Sequence, residues 1–385
     1  MNRFAGALGG VSLALTTTTA IAGGLERTIF SPAVLYEEGR YLEFGASVVV
    51  PELTGTNGVV APPFAPAVTP LTGETGDLLE TYATFGAAYK ADINDRLSYA
   101  LILGQPLGAD TNYPAIAPTG PTDVNAVYGG SFADLVSWEL AALLAYDVND
   151  RVKIYGGPTL QTIEASAGLP FIPAGAFGSG YEVSTDRSWG VGAVVGASYE
   201  IPDIAFRVGL TYRSEVGHDF NTVETLGGVA SINSQTSIDT PQSLTLDFRT
   251  GVAPDTLVFG QIHWVDWSAF NISPPNYPPL ALGRPLVAYA DDWVTYTLGV
   301  ARRFDENWVG LASVSYEPQA DIELTSLGPV DGRLGLSLGA IYENDKYKIT
   351  GGVNYTMIGS ALNVLQTDFD DGEALGFGIK FGIKL

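Results

Sequence analysis

The stretch from Leu375 to Leu385 alternates without a break. Leu375, Phe377, Ile379, Phe381, Ile383 and Leu385 share one parity; Gly376, Gly378, Lys380, Gly382 and Lys384 share the other. Successive side chains of an extended strand point to opposite faces, so one face is wholly apolar and the other is small or cationic. A soluble sandwich buries such an apolar face against a second sheet. An outer-membrane barrel turns it to lipid and lines a wet lumen with the other. The choice depends on whether the code recurs at the right length.

It recurs. Phe206, Val208, Leu210 and Tyr212 alternate with Arg207, Gly209, Thr211 and Arg213. Leu244, Leu246 and Phe248 alternate with Thr245, Asp247 and Arg249, and Leu334, Leu336 and Leu338 with Arg333, Gly335 and Ser337. Val294 to Ala301 follows the same rule, and the first such segment is Tyr41 to Pro51. Most segments have the roughly 9–11 residues that a tilted strand needs to cross the hydrocarbon layer. Tight turns are read at Asn94-Asp95, Asn149-Asp150, Pro202-Asp203, Pro254-Asp255, Asp305-Glu306 and Asn344-Asp345. Asn and Asp suit them because their side chains bond the backbone just ahead and tolerate left-handed conformations. Long connections separate the turns, near residues 51–77, 107–130, 164–186, 217–240, 269–290, 318–332 and 358–372. Six short turns and seven long loops link fourteen strands, with both termini on the short-turn side. The expected fold is therefore all-β, a 14-stranded antiparallel transmembrane β-barrel with a short N-terminal plug segment. A soluble all-β repeat protein would have to bury the polar face of these strands.

Residues 1–22 read as a signal peptide: Arg3 is the positive end, Phe4 to Leu15 the apolar core, and Ala20-Ile21-Ala22 the cleavage site. Residues 23–40 are the plug segment and 41–385 the barrel. Beyond the signal no apolar run is long enough for a spanning helix, so membrane residence rests on strands. Cysteine is absent, which excludes a disulfide framework or a thiolate metal site. The net charge of −23 argues against nucleic acid as a partner. Tyr41, Trp138, Tyr199, Tyr212, Trp264, Trp267, Trp293, Trp308, Tyr342 and Tyr355 fall near strand ends, where aromatic girdles form.

Several stretches resemble the FadL-type outer-membrane transporters of long-chain fatty acids and aromatic hydrocarbons. Phe30-Ser31-Pro32-Ala33 is similar to that family's Asn-Pro-Ala segment, and Glu43-Phe44-Gly45 with Val50-Pro51 to its first strand. Gly209 to Val216 resembles its most recognisable stretch, Trp264-Val265-Asp266-Trp267-Ser268 its W-x-D-W-S strand end, and Trp293 to Asp305 a later strand and turn. The resemblance implies a fourteen-stranded barrel with an N-terminal plug, an apolar groove on the extracellular loops, and a sideways exit through a kinked third strand. It implies passive transport, with neither energy source nor cofactor, in the outer membrane of a Gram-negative bacterium. The expected partners are a hydrophobic small-molecule ligand, outer-membrane lipid and lipopolysaccharide, and the expected state is a monomer. The segment ahead of strand 1 is shorter than the family's plug, enough to enter the lumen but not to fill it.

The loops are rich in apolar residues, which marks interaction surfaces when they are exposed. Phe64, Leu169, Phe171, Ile172, Phe177, Tyr277 and Leu280 are the candidate capture residues, with a lid core packed on itself as the other reading. Phe30 and Pro32 belong to the plug. Arg207, Arg213 and Arg249 point inward and are candidates for holding a carboxylate headgroup, or else part of a structural charge ladder. The third strand, Leu97 to Leu107, runs into Gly104-Gln105-Pro106-Leu107-Gly108. Proline has no N–H for a ladder, so Gly104, Pro106 and Gly108 are the candidate lateral gate. No metal-ligand spacing and no catalytic grouping around His218 or His263 is evident, so no catalytic residue is expected. A general diffusion porin, or a barrel that merely presents loops, is the alternative function.

Overall fold

The structure is a computed structural model and describes residues 24–61, 67–320 and 323–385. The signal peptide and the candidate capture residue Phe64 lie outside the described residues.

Fourteen antiparallel strands form the wall: β1 (Tyr41–Val60), β2 (Tyr82–Asn94), β3 (Leu97–Gly104), β4 (Phe132–Asn149), β5 (Val152–Pro173), β6 (Ser188–Ile201), β7 (Phe206–Arg213), β8 (Ser243–Ala253), β9 (Thr256–Val265), β10 (Trp293–Arg303), β11 (Trp308–Glu317), β12 (Arg333–Glu343), β13 (Tyr347–Ile358) and β14 (Asp368–Lys384). Each pairs with the next, and β1 pairs with β14 from Tyr41↔Lys384 to Thr56↔Asp368, which closes the ring. Closure leaves no edge strand, the condition for a sheet to span lipid.

The alternation sorts as expected. Phe44, Leu140, Leu210, Leu298, Leu336 and Phe377 stand exposed on the outer face, while Ser47, Thr211, Thr295, Ser337 and Lys380 are buried inside. Four of the six short turns use one device. The side-chain oxygens of Asn94, Asn149, Asp305 and Asn344 each accept two N–H groups from the residues just ahead, as at Arg96 and Leu97. The other two turns carry left-handed residues, Ala205 and Asp255.

Three girdle assignments are corrected. Tyr41 has lumen parity and is 1% exposed, its ring lying across Gly382, where a Cβ would collide with it. Trp267 and Trp293 are also buried: the chain turns inward after β9 at Trp267, Trp293 opens β10 on the inward parity, and both indoles pack in the extracellular crown.

The long connections are more structured than a loop reading allows. Several wall strands overrun the membrane, and short strands extend the sheet above it: Thr69–Asp77, Gly108–Asn112, Ser179–Thr185 and a hairpin of Val216–Leu226 with Ala230–Thr240. The sequence pattern reads this stretch as a loop, and the structure makes it a hairpin. It forms because Phe220, Thr222, Glu224 and Leu226 keep period two and bury their shared face.

Candidate functional site

Three features define the site: an apolar crown, the N-terminal segment, and a gap in the wall beside β3.

The crown is a cluster of buried loop residues around Trp267, Tyr289 and Trp293, whose rings meet edge-on at centroid distances of 5.0 and 5.1 Å. Inside it lies a cavity of about 60 Å³, lined by Leu25, Leu135, Ile238, Leu286, Val287 and Tyr289 among others. Burial pushes the Tyr277 hydroxyl up to about 12 and the Tyr289 hydroxyl further up, the mark of a dry environment.

Among the described candidate capture residues, none lines this cavity. Leu169, Ile172 and Tyr277 are 3%, 1% and 7% exposed, and Phe171 and Leu280 pack against the same cluster. They are core of the lid, not an exposed patch, because the loops fold over one another and sequester their apolar faces. Phe177 is exposed at a loop tip, away from the cavity. The residues that do line it were missed since Leu286, Val287 and Tyr289 sit in an irregular stretch with no periodic signal. Leu25 arrives from a distant part of the chain.

The N-terminal segment runs through the lumen and is pinned at its charges. The Glu26 carboxylate lies 3.1 Å from His263 Nε2, whose Nδ1 is 2.8 Å from Thr245 Oγ1. Arg27 pairs with Asp110, and Glu37 accepts from Lys348 Nζ at 2.7 Å. The Pro32 carbonyl accepts the Leu35 N–H and so opens the 3-10 turn Ala33–Tyr36. Val34 and Leu35, with Phe30 and Tyr36, pack against inward-facing Tyr41, Ala88, Ala100, Leu143 and Tyr155. Short as it is, the segment packs an apolar cluster against the inner wall on the short-turn side. It coils into a turn, and two wall tyrosines reach in to meet it.

The candidate headgroup arginines are already engaged. Arg213 Nη2 donates to both Glu139 oxygens at 2.6 Å. Arg207 stacks over Tyr36 at 3.7 Å and faces Glu200 at 3.6 Å. Arg249 lies opposite Arg207 in register, buried in the same wall. These contacts describe a charge lattice that holds the segment and the wall, with Arg213 well apart from the other two.

The gap lies where Pro106 predicts. β3 pairs with β2 only as far as Ala87↔Leu103. On the β4 side pairing stops at Gly104↔Glu139 and resumes one residue out of register at Gly108↔Val136. Bonding across from β2 resumes only higher up, where Glu80 N–H donates to Asp110 and Asn112 N–H to Leu78. Tyr82 to Gly86 therefore face a window whose other side is Gln105 to Ala109. Side chains satisfy the backbone groups left behind. Gln105 Oε1 accepts the Phe85 N–H at 2.8 Å, and Ser137 Oγ serves Leu107. The bent segment also takes a new partner. Pro106 C=O accepts the Arg27 N–H at 2.7 Å, and Gly108 N–H donates to Leu25 at 2.8 Å. Behind the window lies a cavity of about 120 Å³, lined by Thr28, Phe30, Phe85, Leu103, Gly104 and Pro106 among others.

The family model described as outer membrane protein transport protein (OMPP1/FadL/TodX) matches residues 5–379. No curated protein matches the sequence. Among solved structures, a Pseudomonas aeruginosa FadL homologue superposes with a TM-score of 0.71 at 14% identity, covering 91% of each chain. The Ralstonia pickettii toluene transporter TbuX gives 0.61 at 14% identity, over 96% of this chain and 98% of that one. A deltaS2 mutant of the TodX monoaromatic hydrocarbon channel gives 0.64 at 15%, over 92% of each. At these identities the superpositions speak to the fold.

Proposed function

Because the chain belongs to the OMPP1/FadL/TodX family of outer-membrane transport proteins, we propose that it carries hydrophobic small molecules through the outer membrane. Cargo enters the apolar crown cavity and leaves sideways between β2 and β3. The observation that carries this reading is the break in pairing between Leu103 and Asp110, with a cavity directly behind it. The packing of Val34 and Leu35 against the inner wall on the short-turn side favours a sideways route over a straight one. An apolar cargo gains about 0.8 kcal/mol per CH₂ by staying out of water, so a door into the outer leaflet keeps that gain.

Of the two cargo classes carried by the family, neutral hydrocarbons fit better than fatty acids. The cations nearest the route are engaged: Arg27 by Asp110, Arg213 by Glu139, Lys380 by Glu43. A carboxylate headgroup would have to displace one of these acids. The neighbours described as toluene and monoaromatic hydrocarbon channels are consistent with this choice.

The test is uptake of labelled toluene and labelled oleate by cells with and without the protein, paired with planar-bilayer conductance. Saturable toluene uptake without steady ionic current is expected. Large steady currents would point to a diffusion porin instead, and preferential oleate uptake would reverse the cargo assignment.

A further inference from the structure

One charged side chain crosses the window. The Arg27 guanidinium lies over the Tyr82 ring at 3.4 Å, on the β2 side. Its Nη2 bonds the carboxylate of Asp110, which belongs to the bent segment on the far side. A planar guanidinium can do both at once, stacking with its face and donating from its edge. The crossing needs room. A Cβ on Gly108 would sit 2.8 Å from Arg27 Nε and 3.0 Å from Cγ, so the side chain passes close over this glycine and a Cβ there would push it aside. A Cβ on Gly104 would meet nothing within 4 Å. The two glycines flanking Pro106 thus act differently: Gly108 accommodates a crossing side chain, and Gly104 borders open space.

The neighbours of Arg27 matter equally. Leu25 lines the crown cavity, and Glu26 is anchored by His263. The backbone is therefore held at Glu26, between a residue that touches the cavity and a residue whose side chain reaches from Tyr82 to Asp110.

We propose that Arg27 is the bar of the lateral window, and that cargo leaves when its side chain swings off Tyr82 and Asp110 while the anchored backbone stays in place. Arg27 is thus a positioning residue that sets the rate of exit. The proposal rests on the lateral-release reading above.

The chain has no cysteine, so an introduced thiol reports on one place. Thr84 is 7% exposed and lines the cavity behind the window. In outer-membrane vesicles, the thiol of Thr84→Cys is labelled with a lipid-soluble maleimide, with and without Arg27→Ala. Removing the bar should speed labelling roughly tenfold, the factor that about 1.4 kcal/mol represents. Arg27→Lys should fall between, because an ammonium keeps the charge but not the flat face. Heat-modifiable gel migration verifies folding. If Arg27→Ala forms no barrel, Asp110→Asn is scored in its place. A labelling rate within about twofold of the parent overturns the bar.

A second arm tests the route itself. Phe85→Cys and Gln105→Cys, opposite one another across the window, are joined by a bifunctional maleimide and toluene uptake is measured. Lost uptake supports lateral release; undiminished uptake refutes it, and refutes the bar's role in exit. Lost uptake with an unchanged labelling rate removes the bar alone.

Discussion

One hydroxyl, Ser137 Oγ, holds both backbone groups of Leu107: it accepts the Leu107 N–H at 2.8 Å and donates to the Leu107 carbonyl at 2.7 Å. Ser137 lies on β4 between the two stretches where that strand pairs normally. The bend at Pro106 is therefore a built feature, with a side chain in the place of a missing ladder partner. Ser137→Ala would leave two buried polar groups unpartnered, at about 1–3 kcal/mol each. We expect a lower unfolding temperature in detergent and faster amide exchange at Leu107 and Gly108. Unchanged exchange there would mean that water replaces the hydroxyl.

Repairing the bend should close the route. Replacing Gly104 with Val and Pro106 with Thr returns a ladder N–H and favours extended backbone. Hydrocarbon uptake is expected to fall to background while the barrel remains heat-modifiable. Undiminished uptake in a folded double variant would contradict exit through the window.

In the pair of Arg213 with Glu139 the carboxylate is buried and the guanidinium partly so. Removing one partner leaves a buried charge alone, at about 3–5 kcal/mol. Arg213→Met with Glu139→Gln should be less destabilised than either single change. A double-variant cycle in urea-induced unfolding measures this, and a strictly additive result would show that the two charges do not depend on each other.

Ile172 and Phe171 belong to the lid, so changing both to Ser should loosen the crown before it weakens any direct contact with cargo. Each buried apolar side chain is worth about 1.5–3 kcal/mol. The expected result is increased protease sensitivity of the loops together with weaker binding. Weaker binding with unaltered proteolysis would instead place these residues against cargo.

Asp123 offers a pH test outside the membrane. Its carboxylate accepts the Thr119 N–H and hydroxyl at 2.8 Å and the Asn125 N–H at 2.9 Å, and these bonds lower its pKa to about 2. The folded value lies below the usual value of about 3.9. Its contribution is therefore present above about pH 4 and lost as pH falls toward 2. Amide exchange at Thr119 and Asn125 should accelerate over that window, relative to neighbouring amides, in the parent and not in Asp123→Asn. Identical profiles in both would show that the carboxylate does not govern this loop.

The sequence by itself determined the barrel, because strand alternation, Asx turns and the missing N–H of Pro106 act over a few residues and are written where they act. The fourteen strands, their facing and the break after Gly104 follow from such local rules. Only the tertiary structure decided which residues make the site. Glu26 meets His263 across 237 positions and Glu37 meets Lys348 across 311, and no periodicity carries such pairings. Tyr41 and Trp267 show the same limit from the other side: near a strand end, parity or an inward turn outweighs the preference of an aromatic ring for the lipid interface. The apolar loop residues read equally well as surface or as core, and mutual packing made them core. The N-terminal segment found its place because the bent strand left N–H and C=O groups that had to be paired, and residues 25–28 lay within reach.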